Sequence, residues 1–102
     1  GATGPNAFDC SGLVQWAFKK VGVNLPRTAD MQFRVGRTVS KYQLQPGDLI
    51  FFANTYCPGI SHVGIYIGGG RFVHAANSRK GVIVSSLSES YWAQHYAGAK
   101  RV

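Results

Sequence analysis

The sequence predicts an α+β domain, helices first and an antiparallel sheet after, on three observations. Apolar residues recur at helical steps between Cys10 and Val21. Two β-rich runs between Val63 and His74 flank Gly68-Gly69-Gly70. Gln45-Pro46-Gly47-Asp48 supplies strong turn chemistry between these two parts. The 102 residues make one domain of residues 1–102, because domains commonly run to roughly 100 to 150 residues. With 45% apolar and 15% charged residues the chain is too hydrophobic for disorder, and 13 glycines punctuate it too often for a helical bundle.

Taken in order, Gly1 to Phe8 carries Gly, Pro and Asn and reads as an opening loop. Leu13, Val14, Ala17, Phe18 and Val21 then share one helical face, which predicts a helix over Cys10 to Val21 with Asp9 or Ser11 as cap and Gly22 as stop. A second helix is expected from Thr28, as cap, to about Val35, stopped by Gly36. Leu49 to Phe52 is apolar on both faces and predicts a central strand, and Ala53 to Ile60 a loop. Val63 to Ile67 and Arg71 to His74 predict a hairpin closed by the three glycines. A short strand follows at Val82 to Ser85, Ser86 and Glu89 suggest a capping box for a helix through Tyr91 and Trp92, and Ala97 to Val102 reads as an edge strand.

Eleven basic residues against four acidic ones give a net charge of +7, scattered along the chain. No nucleic-acid motif accompanies this charge and the aromatics sit in apolar runs, so no nucleic-acid partner is expected. Anionic polymers or carboxylate-rich substrates outside the cell suit such a surface better. The longest apolar stretch, Leu49 to Ala53, is far shorter than the roughly 20 residues of a membrane-spanning helix.

Two cysteines, Cys10 and Cys57, do not by their number fix a redox compartment. Cys10 falls in the first helical turn, where amide groups and the helix dipole favour a thiolate, so a lowered thiol pKa is expected. His62 and His74 are 12 residues apart in the predicted hairpin. If the loop is the three glycines, 67 faces 71 and 64 faces 74, so both imidazoles share a face as diagonal neighbours, with Gly64 leaving room between them. A two-residue loop would place them on opposite faces. Thiol catalysis needs a base, and the base works best when a third group orients it. Cys10, His62 and His74 fill those three roles, with Asn77 as a second candidate for the third, and the backbone amide of Cys10 could stabilise an oxyanion. The same residues leave two alternatives open. Cys10, Cys57, His62 and His74 could ligate zinc, although tight Cys-x-x-Cys spacing is missing, or Cys10 and Cys57 could form a disulfide.

Phe8-Asp9-Cys10-Ser11-Gly12-Leu13-Val14, Leu25-Pro26-Arg27-Thr28, Leu44-Gln45-Pro46-Gly47-Asp48-Leu49, Ser61-His62-Val63-Gly64-Ile65-Tyr66 and Phe72-Val73-His74-Ala75 together resemble the NlpC-type cell-wall cysteine peptidases. The resemblance implies a papain-like fold with N-terminal helices packed on an antiparallel β-sheet. It also implies peptidoglycan endopeptidase activity on stem peptides, commonly between γ-D-glutamate and a diamino acid. Carried over by motif, Cys10 is the nucleophile, His62 the general base and His74 the orienting residue. Asp9, Ser11 and Arg27 would line the substrate site, although Asp9 and Ser11 are also natural helix caps and Arg27 could serve only in surface pairing. No metal or organic cofactor is implied. A monomer secreted or held in the cell envelope, with anionic wall polymers as further partners, is expected. The family's tyrosine upstream of the nucleophile is missing, which suggests a trimmed catalytic domain of a longer protein. Acyl transfer from the same site and a non-catalytic wall-binding domain are the alternative activities.

Overall fold

Helix α1 spans Cys10–Lys19 in the computed structural model, which describes residues 9–77 and 80–102. The opening loop read over Gly1 to Phe8 lies outside the described residues. Asp9 is the cap, its carboxylate accepting the Gly12 amide at 2.7 Å. The helix stops short of Val21. The Val23 amide reaches back to the Phe18 carbonyl and the Gly22 amide to that of Lys19, with Gly22 at φ +84°, so the chain turns off in a glycine-terminated Schellman closure. Helix α2, Ala29–Gln32, begins as expected at Thr28, whose hydroxyl accepts the Met31 amide. It unwinds earlier than Val35, because Arg34 and Val35 bond only three residues back and Gly36 takes φ +72°.

Among the described residues six strands form one antiparallel sheet in the order β1-β6-β2-β3-β4-β5. They are β1 Arg37–Val39, β2 Leu49–Ala53, β3 Ile60–Gly68, β4 Arg71–Asn77, β5 Gly81–Ser86 and β6 Tyr96–Arg101. Strand β2 is central, as its two-sided apolar sequence predicts. The C-terminal strand is not an edge, because β1, too short to announce itself in sequence, pairs along its outer side. Arg101 fixes this strand through a two-point ion pair, Nε to Asp48 Oδ1 at 2.7 Å and Nη2 to Asp48 Oδ2 at 2.8 Å.

The hairpin keeps the expected register by a different route. Ile65 faces Val73 and Tyr66 faces Phe72, but Gly68, not Ile67, faces Arg71. The loop is therefore two glycines, Gly69 and Gly70, both at positive φ, and a bulge before Gly68 restores the parity that a two-residue loop would otherwise reverse. The capping box is half formed. The Ser86 amide donates to the Glu89 carboxylate at 2.6 Å, while the Ser86 hydroxyl turns to Ser88, so helix α3, Ser90–His95, starts later with Glu89 as its cap.

The sheet divides two clusters. Cys10, Val14, Leu25, Ala29, Leu49, Phe51 and Val63 pack on the side of α1 and α2. Ile50, Phe52 and Phe72 pack on the other with Trp92 and Tyr96. Between β3 and β4 the fit is tight at one point. A Cβ at Gly64 would lie 2.7 Å from Phe72 Cδ2, 3.0 Å from the Val73 carbonyl oxygen and 3.2 Å from His74 Cβ. Gly64→Ala is therefore expected to cost about 1 to 3 kcal/mol of stability by overpacking, read as a lower urea midpoint at unchanged slope.

Candidate active site

Strand β3 alternates in the direction of its backbone groups. The Tyr66 amide donates to the Asp48 carbonyl and the Gly47 amide to the Tyr66 carbonyl, so the even-numbered residues of β3 turn their peptide groups toward the β2 side. Odd-numbered residues turn theirs toward β4, and pairing with β4 runs from Gly68 only to Ile65. Beyond Ile65 the paired register with β4 ends, and the first turn of α1 lies against this part of β3. The Cys10 thiol there donates to the Ser61 carbonyl at 3.8 Å, and the Val63 amide also faces the sulfur. Cys10 is thus held against the stretch of backbone that carries His62.

His62 and His74 meet as diagonal neighbours. His62 Nε2 and His74 Nδ1 are 2.9 Å apart, and His74 Nε2 lies 2.8 Å from Ser85 Oγ. All three side chains are buried. Trp92 of α3 stacks on His62 with ring centroids 5.1 Å apart and planes at 25°. Phe52 lies 6.0 Å from His62 and Phe72 4.6 Å from His74, centroid to centroid. The hairpin, the aromatic cluster and β5 therefore fix both rings. Sequence reasoning missed Ser85 and Trp92. Ser85 carries one signal, an inward serine in a strand whose Val82 and Val84 are exposed, but reading it requires the β4 to β5 register.

The expectation that the helix terminus lowers the Cys10 pKa is not met. Burial raises it above 9.0 and the neighbouring Asp9 carboxylate adds to this, outweighing amides of Val63, Ser11 and Cys10 that favour the thiolate. Burial likewise pulls His62 from 6.5 down to about 4, with His74 contributing, and His74 to about 4, against the opposing pull of Glu89. Burial thus favours the neutral form of the thiol and of both imidazoles. Unfolded imidazoles protonate below about 6.5 and the folded ones only near 4. Inside that window the unfolded state binds more protons, so stability falls as pH drops through it. Thermal melts from pH 7 to about 5 should show the midpoint falling steadily before carboxylate protonation contributes.

Asp9, Ser11 and Arg27 converge beside the thiol. Arg27 Nη1 donates to Ser11 Oγ at 2.9 Å and Nη2 to Asp9 Oδ2 at 2.9 Å. Burial works to raise the Asp9 pKa, but the Arg27 and Gly12 hydrogen bonds and the Arg27 charge bring it below 3.8. Gln32, fully buried, donates to the carbonyls of Ser11 and Pro26 and ties this turn to the Arg27 loop. The three residues border a pocket of about 370 Å³ together with Tyr56 and Ile60.

Both cysteines are free, Cys10 buried and Cys57 exposed, so the alternative disulfide is not formed. The four donors of the zinc alternative are not brought together, since no group of three or more metal-binding side chains gathers among the described residues. The side chain of Asn77 lies outside the described residues. No helix among the described residues is long and apolar enough to cross a membrane.

Known proteins resemble this chain over nearly its whole length. The γ-DL-glutamyl hydrolase of Bacillus subtilis (strain 168) is 49% identical over 102 residues, covering 99% of this chain and 24% of that protein. The murein DD-endopeptidase MepH of Escherichia coli (strain K12) is 39% identical over 105 residues, covering 100% of this chain and 39% of that protein. The crystal structure of a lipoprotein-like NLP/P60 family protein from Staphylococcus aureus subsp. aureus Mu50 superposes with a TM-score of 0.92 at 43% identity, over 100% of this chain and 35% of that one. The chain thus spans well under half the length of each. With the NlpC/P60 family model matching residues 1–101, the chain belongs to the NlpC/P60 family.

Proposed function

We propose that the domain is a cysteine endopeptidase of peptidoglycan stem peptides. The observation that carries this reading is the buried His62 and His74 pair, hydrogen-bonded at 2.9 Å, with His62 on the stretch of β3 against which the Cys10 thiol is held. His62 Nδ1 takes the thiol proton as Sγ attacks the scissile carbonyl carbon. The resulting oxyanion is met by the Cys10 amide at the start of α1. Collapse breaks the C–N bond, the His62 imidazolium gives its proton to the departing amine, and the acyl group stays on Sγ as a thioester. Water, deprotonated by His62, then releases the acid and restores the thiol.

Arg27, Asp9 and Ser11 present a charged, hydrogen-bonding wall next to the sulfur, suited to the carboxylates and amines of a stem peptide. The bond between γ-D-glutamate and the diamino acid is the one the family resemblance implies, and a relative 49% identical to this chain is named a γ-DL-glutamyl hydrolase. A substrate of this kind lies outside the cytoplasm, so the proposed site of action is the cell envelope or the secreted medium. The net charge of +7 suits anionic wall polymers there.

The test is mass spectrometry of purified muropeptides incubated with the reduced protein. Paired fragments ending at γ-D-glutamate and beginning at the diamino acid are expected, together with an early covalent adduct on the protein that hydroxylamine removes. Folded, reduced protein that leaves every muropeptide intact would overturn the reading, and fragments from a D,D bond would correct its specificity.

A further inference from the structure

Ser85 is buried on β5 with its hydroxyl 2.8 Å from His74 Nε2. A buried imidazole nitrogen needs some partner, but the identity of the partner has consequences along the whole hydrogen-bonded row. His62 turns Nε2 to His74, so only its Nδ1 is left to accept a proton from the thiol. A neutral imidazole has one protonated nitrogen. For Nδ1 of His62 to be open, its proton must sit on Nε2 and be donated to His74 Nδ1. His74 must then carry its own proton on Nε2, and that N–H needs an acceptor, which is Ser85 Oγ.

The opposite direction is equally self-consistent as hydrogen bonding. If the serine donated to His74 Nε2, the His74 proton would move to Nδ1 and point at His62. The His62 proton would move to its own Nδ1, the nitrogen to which the proposed mechanism gives the thiol proton, and the base would be blocked. The row has two proton directions, one competent and one silent, and its far end selects between them. The rings around it, Phe52, Phe72 and Trp92, have no nitrogen or oxygen aimed to take over, since indole N–H is only a donor.

We propose that Ser85 is a positioning residue that accepts the His74 Nε2 proton and thereby holds His62 in the tautomer able to act as base. The activity half of this inference rests on the cysteine-peptidase reading, while the tautomer half stands apart from it.

The test uses uniformly 15N-labelled protein at pH 7 and long-range 1H–15N correlation of the imidazoles, which separates protonated from bare nitrogens. In the parent, His62 and His74 are both expected as Nε2–H tautomers. In Ser85→Ala, His74 should populate both tautomers, and kcat on muropeptide should fall about 10- to 100-fold, in the range seen when an outer hydrogen-bond partner is removed, with KM unchanged. Ser85→Thr, which keeps the hydroxyl, should restore both readouts. A parent spectrum with His74 protonated at Nδ1 would overturn the proposal even if Ser85→Ala failed to fold. So would a Ser85→Ala spectrum identical to that of the parent. A parent that cleaves nothing would count against the peptidase reading alone, leaving the tautomer result to decide the role of Ser85.

Discussion

Cys10→Ala is expected to lower kcat/KM on the stem peptide by about 10⁴-fold or more, because removing the nucleophile leaves only binding and oxyanion stabilisation. Cys10→Ser is the more demanding version. Serine fills nearly the same volume in the cluster of Val14, Leu25 and Val63, and its hydroxyl can still donate to the Ser61 carbonyl that now takes the thiol. Fold and pocket should therefore persist. The reaction should still be lost, since a hydroxyl gives up its proton far less readily than a thiol, and His62, held near 4 by burial, is too weak a base to compensate. Thermal melts and muropeptide turnover of parent, alanine and serine variants check this together. A folded Cys10→Ser protein keeping a tenth of the parent rate would mean that sulfur is not the attacking atom.

The parts of the site that were legible in sequence are those set by local rules. Cys10 follows a capping residue and begins an apolar helical face, so its place in the first turn of α1 could be read directly. The face shared by His62 and His74 followed from strand parity and a glycine turn. That reasoning reached the right register although the loop differs, because the bulge before Gly68 replaces the third loop residue. Ser85 and Trp92 were hidden for a common reason. Each reaches the histidines from an element whose position is set by tertiary packing, β5 across a connection of unreadable register and α3 across the aromatic cluster. Strand β1 was hidden because three residues carry too little pattern, and with it went the central placement of β6. The rise of the thiol pKa was hidden because a helix terminus can be read from sequence, whereas the burial of Cys10 depends on how α1 packs with Leu49, Phe51 and Val63 of the sheet.

As the proposed base, His62 is the second indispensable group, and His62→Gln isolates its role from its packing. Glutamine can keep an N–H toward His74 Nδ1, the partner now 2.9 Å away, and can fill much of the space beneath Trp92. It cannot take a proton. With the thiol pKa raised by burial, the attacking sulfur needs a base to take its proton, so loss of the base should cost about 10³- to 10⁴-fold in kcat/KM. Combining it with Cys10→Ser should cost little more than either change alone, because nucleophile and base act as a unit. A second readout separates this from damage to the fold. His62→Gln removes one of the two buried imidazoles that protonate near 4, so the decline of the melting midpoint between pH 6.5 and about 4 should become shallower. Cleavage and acid sensitivity would then move in opposite senses, the first falling while the second improves. If the losses in the double variant simply multiplied, His62 would be acting on binding or structure independently of Cys10, and another group would have to receive the thiol proton.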